Sequence, residues 1–279
     1  MNSPCLFGIL NVTSDSFFDG GLYLNTQAAV DHAQELFNNG ADVIDVGLAS
    51  SNPDACEVSA QEEIERLSPV LNGLSDRIAS VSVDTYRPET QLYALRRGVG
   101  YLNDIAGFPQ PTMYPELASA SCKLVVMHSV HAPGLAQRSE PIPATHIWEA
   151  IFRFFDERTT LLERAGISRE RMILDPGMGY FLGADPKASD LVASTADMLR
   201  ERFGLPTLIS VSRKSFLRSM VGRSSTQAAA GTLAAEMFLA DLGVNYIRTH
   251  DTTALRDAIL VTRQLRERRR HMLQEQGEL

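Results

Sequence analysis

Eight short apolar runs, each closed by a polar residue, set the architecture open to this chain. They cover residues 6–10, 43–46, 79–83, 99–102, 124–127, 172–174, 207–211 and 244–247. They are aliphatic and near-continuous rather than alternating, as expected of parallel strands buried on both faces. Helix signals fall between them. The stretch 26–39 runs into Gly40, and Ser59-Ala-Gln-Glu62 reads as a capping box ahead of Ile64, Leu67 and Leu71. Pro69 threatens to kink or end that helix. Pro88 opens a short helix that closes near Arg97-Gly98. Ile147, Ile151, Phe155 and Leu162 mark a long amphipathic helix stopping at Gly166. Helices are also predicted over 191–203 and 226–242, and from Thr253 past Leu265.

Eight strand–helix units in 279 residues, with no linker or break in composition, predict a single-domain α/β chain over 1–279, a TIM (β/α)8 barrel. A doubly wound sheet is the alternative, but the Gly-x-Gly-x-x-Gly turn after its first strand is missing. The connections support the barrel. Those into the strands are tight, at Gly40, Gly98, Gly166, Gly204 and Gly243. Those out of them are long, at 11–25, 47–58 and 128–145. A barrel with its active site at the C-terminal mouth needs that asymmetry.

The composition narrows the class. A net charge of −8 speaks against nucleic acid as a partner. No run reaches the length of a membrane helix, and no basic segment precedes an apolar one at the start, so a cytoplasmic protein is expected. Cys5, Cys56 and Cys122 are far apart and odd in number, which suggests neither disulfides nor zinc. Only three lysines occur, Lys123, Lys187 and Lys214, so each carries weight.

Polar residues end the eight runs: Asn11, Asp45, Asp84, Asn103-Asp104, His128, Asp175, Ser212-Arg213-Lys214 and Arg248-Thr-His250. Together they would line one mouth. Asp84, Asn103 and Asp175 suit a flat heterocycle with a donor-rich edge, since a carboxylate accepts two parallel N–H bonds and an amide both donates and accepts. Arg248 and His250 lie beside Asn11 once the barrel closes, and they suit a phosphate or pyrophosphate. A salt bridge across the mouth is the plainer role for Arg248, and helix capping the plainer role for His250.

The run from Phe7 to Gly21, FGILNVTSDSFFDGG, is similar to the first signature of dihydropteroate synthases. Ser82-Val-Asp-Thr-Tyr86, Leu102-Asn-Asp-Ile105, Val126-Met-His128, Asp175-Pro-Gly177, Ser212-Arg-Lys-Ser215 and Arg248-Thr-His-Asp251 resemble its later blocks, in order and over essentially the whole chain. The resemblance implies a TIM barrel that joins p-aminobenzoate to 6-hydroxymethyl-7,8-dihydropterin pyrophosphate, releasing pyrophosphate. It implies pterin binding by Asp84, Asn103, Asp175, Lys214 and Met127. Asn11, Arg248 and His250 would hold pyrophosphate, with Asn11 also a magnesium ligand. Asp84, Lys214, Arg248 and His250 would take part in catalysis, with Arg248 serving the leaving group rather than the ring. Ser51, Tyr180, Phe181 and Ser212 would meet p-aminobenzoate. A homodimer is implied as well.

The sequence departs from the usual pattern on the p-aminobenzoate side. Leu48-Ala-Ser-Ser-Asn-Pro-Asp54 has Asn52 where an arginine is usual. Gly179-Tyr-Phe-Leu-Gly183 has an aromatic pair where a lysine is usual. These changes resemble the sulfonamide-insensitive branch of the family. Two rivals share the pterin residues. One is a methyltetrahydrofolate methyltransferase, which would need neither Lys214 nor the Arg248–His250 pair. The other is an inactive paralogue that binds a ligand or partner. The arginine-rich run 266–270 reads as the solvated face of the last helix.

Overall fold

In a strand, successive side chains point to opposite faces, so each run can serve the barrel interior and the helix layer at once. The structure, a computed structural model, describes residues 3–13, 22–49, 57–130, 143–183, 185–222 and 228–276. Its strands are β1 (Cys5–Asn11), β2 (Val43–Gly47), β3 (Val81–Asp84), β4 (Tyr101–Asp104), β5 (Lys123–Met127), β6 (Met172–Asp175), β7 (Leu208–Ile209) and β8 (Tyr246–Thr249). All pair in parallel, in the order β6-β5-β4-β3-β2-β1-β8-β7. A parallel bridge between Leu174 and Thr207 joins β6 to β7 and closes the barrel.

Ten helices surround it among the described residues: α1 (Leu22–Asn38), α2 (Ala60–Gly73), α3 (Pro88–Arg96), α4 (Tyr114–Ser119), α5 (Ile147–Arg164), α6 (Pro186–Ser194), α7 (Asp197–Phe203), α8 (Ser215–Val221), α9 (Ala229–Asp241) and α10 (Thr252–Glu275). The capping box of α2 forms, with Ser59 N donating to Glu62 Oε2 at 2.8 Å and Glu62 N to Ser59 Oγ at 3.2 Å. Pro69 does not end α2. It frees only the carbonyl of Glu65, an exposed residue one turn back. The helix predicted over 191–203 is instead two, α6 and α7. Thr195 breaks it, its hydroxyl bonding back to the Leu191 carbonyl at 2.6 Å while accepting from Trp148 Nε1 at 3.0 Å. Gly40 and Gly243, at φ 95° and 78°, make the turns into β2 and β8.

The strand residues split by parity. Leu6, Leu10, Ile44, Val46, Val83 and Leu124 join the helices in the outer core. The opposite parity faces inward. Phe7, Val43, Val125, Ile173, Leu208 and Tyr246 form an apolar layer low in the barrel. Phe7 meets Tyr101 and Tyr246 edge to face at 5.1 and 5.6 Å. Lys123 seals this end, its Nζ 3.0 Å from the Tyr246 hydroxyl. The lower barrel is thus packed solid, and open chemistry is confined to the other end.

Candidate active site

The next inward layer up is polar. Asp45, Asp84, Asn103, Asp175 and Arg248 come from five strands, and register aligns Asp84 with Asn103 across β3 and β4. Arg248 reaches across the mouth. Its Nε donates to Asp45 Oδ2 at 2.5 Å and its Nη2 to Asp84 Oδ2 at 3.0 Å. Asn103 Nδ2 donates to the same Asp45 oxygen at 3.3 Å. Asp45 is wholly buried, which an unpaired carboxylate would not tolerate.

Charge is crowded here, with Asp45, Asp84 and Asp175 facing Arg248 and Lys214. Burial, and then the charge of Asp45, push the Asp84 carboxyl up to about 7 against the pull of Arg248. Burial pushes Asp175 up to about 6, opposed first by the Gly177 N–H and then by Lys214. Burial and the nearby Arg248 bring Lys214 down to about 8, while Asp175 and Asp84 hold its proton on. Carboxyls near neutrality can meet a heterocycle as acceptor or as donor.

The Asp175-Pro-Gly turn aims its carboxylate inward. Gly177 N donates to Asp175 Oδ1 at 2.8 Å, and Gly177 sits at φ 73°. A Cβ there would lie 2.4 Å from the His128 carbonyl oxygen, so glycine is required. Lys214 Nζ lies 5.4 Å from the centre of the Phe181 ring, over it. Phe181 packs on Met127 and Ile105, while Tyr180 is 42% exposed. Phe181 rather than Tyr180 therefore walls the pocket beside Lys214. Ser212 Oγ accepts from the His250 backbone N–H at 3.2 Å and lies 3.0 Å from His250 Nδ1. Asn11 ends β1 with an exposed side chain whose Oδ1 lies over Gly47.

Two of the strand-end residues do not join the mouth. Asp104 has the outward parity and binds Gln91 Nε2 at 2.9 Å and the Ala106 and Phe108 N–H groups at 2.7 and 3.0 Å. His128 packs edge-on against Phe154 at 5.2 Å, with Nδ1 3.0 Å from the Pro176 carbonyl. Burial lowers it to about 4, so it is neutral. Each is one residue past an inward side chain, and alternation turns it to the helix layer. Ser51 and its neighbours 50–54 lie outside the described residues.

The pterin binding enzyme family matches residues 7–250. The type-2 dihydropteroate synthase of Escherichia coli is 54% identical over 265 residues, 95% of this chain and 97% of that protein. The chain belongs to the dihydropteroate synthases. Among solved members, the Xanthomonas albilineans enzyme with 4-aminobenzoic acid superposes with a TM-score of 0.84 at 34% identity, covering 95% of this chain and 94% of that one. The Anaplasma phagocytophilum enzyme with bound 6-hydroxymethylpterin-monophosphate gives 0.83 at 31%, covering 95% and 100%.

Asp84, Asn103, Asp175, Lys214, Met127 and Phe181 lie together at the mouth of the barrel. Arg248, expected at the leaving group, is tied to Asp45 and Asp84. Asp45, expected at the mouth as a strand-end residue but with no ligand role, anchors Arg248 and Asn103. Its signal was present, as a lone carboxylate inside the apolar run Val43-Ile-Asp-Val-Gly47. Among the described residues no cluster of three or more His, Cys, Asp or Glu side chains could hold a metal ion, and no helix is long and apolar enough to cross a membrane.

Proposed function

We propose that the chain condenses 6-hydroxymethyl-7,8-dihydropterin pyrophosphate with p-aminobenzoate, and that it does so in the presence of sulfonamides. The observation that carries the reading is the convergence of Asp84, Asn103, Asp175 and Lys214 above a closed barrel floor. Asp84, Asp175 and Asn103 take the donor-rich edge of the pterin. Lys214 and Arg248 balance their charge, and Arg248 together with His250 faces the pyrophosphate end. The C–O bond from the methylene to pyrophosphate breaks and a C–N bond to the neutral aniline forms. The nitrogen's proton passes to solvent or to the released pyrophosphate. The nearby carboxylates favour the positive charge that develops on the methylene.

Magnesium suits the donor set at Asn11. The ion keeps most of its waters and takes only one or two protein oxygens besides those of a phosphate. Asn11 offers one such oxygen. When bound, the ion neutralises charge on the leaving group.

Phe181 supports insensitivity. A stiff ring fixed beneath Lys214 occupies volume beside the pocket, and p-aminobenzoate ends in a flat carboxylate where a sulfonamide carries a larger tetrahedral group. Exposed apolar side chains on α8 to α10, including Met220, Phe238, Val261 and Leu265, support a homodimer through these helices. A cytoplasmic setting fits the free Cys5 and Cys122.

The test is turnover. The purified protein should release pyrophosphate and form 7,8-dihydropteroate only when both substrates are present. Methyl transfer from methyltetrahydrofolate without that condensation would favour the methyltransferase, and binding with no turnover would favour the inactive paralogue.

A further inference from the structure

The helix α9 carries one carboxylate that the reaction does not explain. Glu236 is 1% exposed in the otherwise apolar stretch Leu233-Ala-Ala-Glu-Met-Phe-Leu239. Its carboxyl faces the Thr249 hydroxyl, and its Oε1 has no hydrogen-bond partner among the described residues. Thr249 is the outward-facing neighbour of Arg248 and His250. Its Oγ1 accepts from the Asp251 N–H at 3.2 Å and reaches Ser212 Oγ at 3.5 Å. Ser212 Oγ in turn meets the His250 backbone N–H at 3.2 Å and His250 Nδ1 at 3.0 Å. A chain of side chains therefore runs from a buried carboxyl to the imidazole.

We infer that Glu236 is a positioning residue, and that its protonated form sets the tautomer of His250 through Thr249 and Ser212. The inference rests on the proposed reading of His250 as a pyrophosphate donor. Counting hydrogens gives two self-consistent states. With a neutral carboxyl, Glu236 donates to Thr249, Thr249 to Ser212, and Ser212 to His250 Nδ1. The imidazole proton is then on Nε2, where it can donate to an anion. With an ionised carboxylate every arrow reverses. Thr249 donates to Glu236, Ser212 to Thr249, and His250 Nδ1–H to Ser212, so Nε2 presents a lone pair that repels an anion. The Asp251 and His250 backbone N–H bonds fit both states.

The surroundings make this switch usable near neutrality. Burial and Asp251 at the head of α10 raise Glu236 to about 7, against the pull of the Thr249 hydroxyl. The charged groups around it are Asp251 and, ahead of α8, Arg213, while β8 presents Thr249. With Ser212 and Thr232 they line a cleft of about 320 Å³ that gives protons a route in. His250 is held to about 3 by burial and by Arg213, Arg248 and Lys214, so it stays neutral and only its tautomer can change.

The test reads the ring nitrogens of His250 by ¹⁵N NMR on the full-length protein, between about pH 6 and about pH 9, with inorganic pyrophosphate affinity measured by calorimetry at the same points. Nε2–H should dominate at the acid end and Nδ1–H at the alkaline end. Glu236→Gln, whose amide does not titrate, should hold one tautomer throughout and remove the pH dependence. Thr249→Val, near-isosteric, should cut the chain and remove the pH dependence. Pyrophosphate affinity of the unmodified protein relative to Glu236→Gln should fall about tenfold across that range, the loss expected for one donor to an anion. A tautomer that ignores both pH and Glu236→Gln overturns the relay. A tautomer that follows Glu236 while pyrophosphate affinity does not overturns the anion role of His250 and leaves the relay standing.

Discussion

Replacing Arg248 with methionine isolates the charge bridge across the mouth while filling most of the volume. The guanidinium stands 2.5 Å from Asp45 and 3.0 Å from Asp84, and Asp45 is fully buried. Removing one partner of a buried ion pair costs about 3–5 kcal/mol, because the remaining charge keeps its desolvation penalty. At roughly 2–4 °C per kcal/mol for a chain of this size, melting should fall by about 6–20 °C. The loss should also depend on pH. Asp84 has its folded pKa raised to about 7 from the usual carboxylate value, so its contribution to stability is present at low pH and lost as pH rises through 7. Without Arg248 that pKa climbs further. Near pH 5 Asp84 is protonated in both proteins and only the Asp45 contact is missing, whereas near pH 9 both contacts are. The deficit should therefore be larger at pH 9. Reversible thermal melts at the two pH values measure it. A deficit below about 1 kcal/mol, or one equal at both pH values, would refute the bridge as an energetic feature. Because Asp84 shifts as well, the variant should bind a plain pterin more weakly, beyond any loss at the pyrophosphate end.

Asp175→Asn should weaken pterin binding by about tenfold to a hundredfold, since an amide presents one donor where two acceptors are needed; calorimetry with a plain pterin reads it, and unchanged affinity would remove Asp175 from that edge. Phe181→Ala should lower the sulfamethoxazole inhibition constant by two to three decades, the equivalent of about 3–4 kcal/mol of relieved clash, while p-aminobenzoate turnover persists. If that variant stays insensitive, the cause lies elsewhere, with residues 50–54 next in line. Chelating magnesium should weaken binding of the pyrophosphate substrate but not of a plain pterin, and Asn11→Ala should abolish that difference.

The barrel was legible in the chain because its cause is local. Eight buried parallel strands must be aliphatic on both faces, and glycines must close the turns that feed them, so run lengths and turn residues were enough. The motif residues Asp84, Asn103, Asp175 and Lys214 were legible for the same reason, each ending or following a strand. What a linear reading missed was side-chain direction and reach. Asp104 and His128 sit one position beyond inward residues, and the pleat turns them to the helices. The break at Thr195 depends on Trp148 on another helix. Asp45 and Arg248 are 203 residues apart, and only barrel closure places β8 next to β1 and brings a guanidinium across to β2 and β3. Glu236 looks like a stray charge in an apolar helix until β8 packs beneath it. Strand identity follows from hydrophobic pattern and backbone preference, which are properties of neighbours in sequence. The pairing of charges follows from geometry across the closed barrel, which no window of sequence contains.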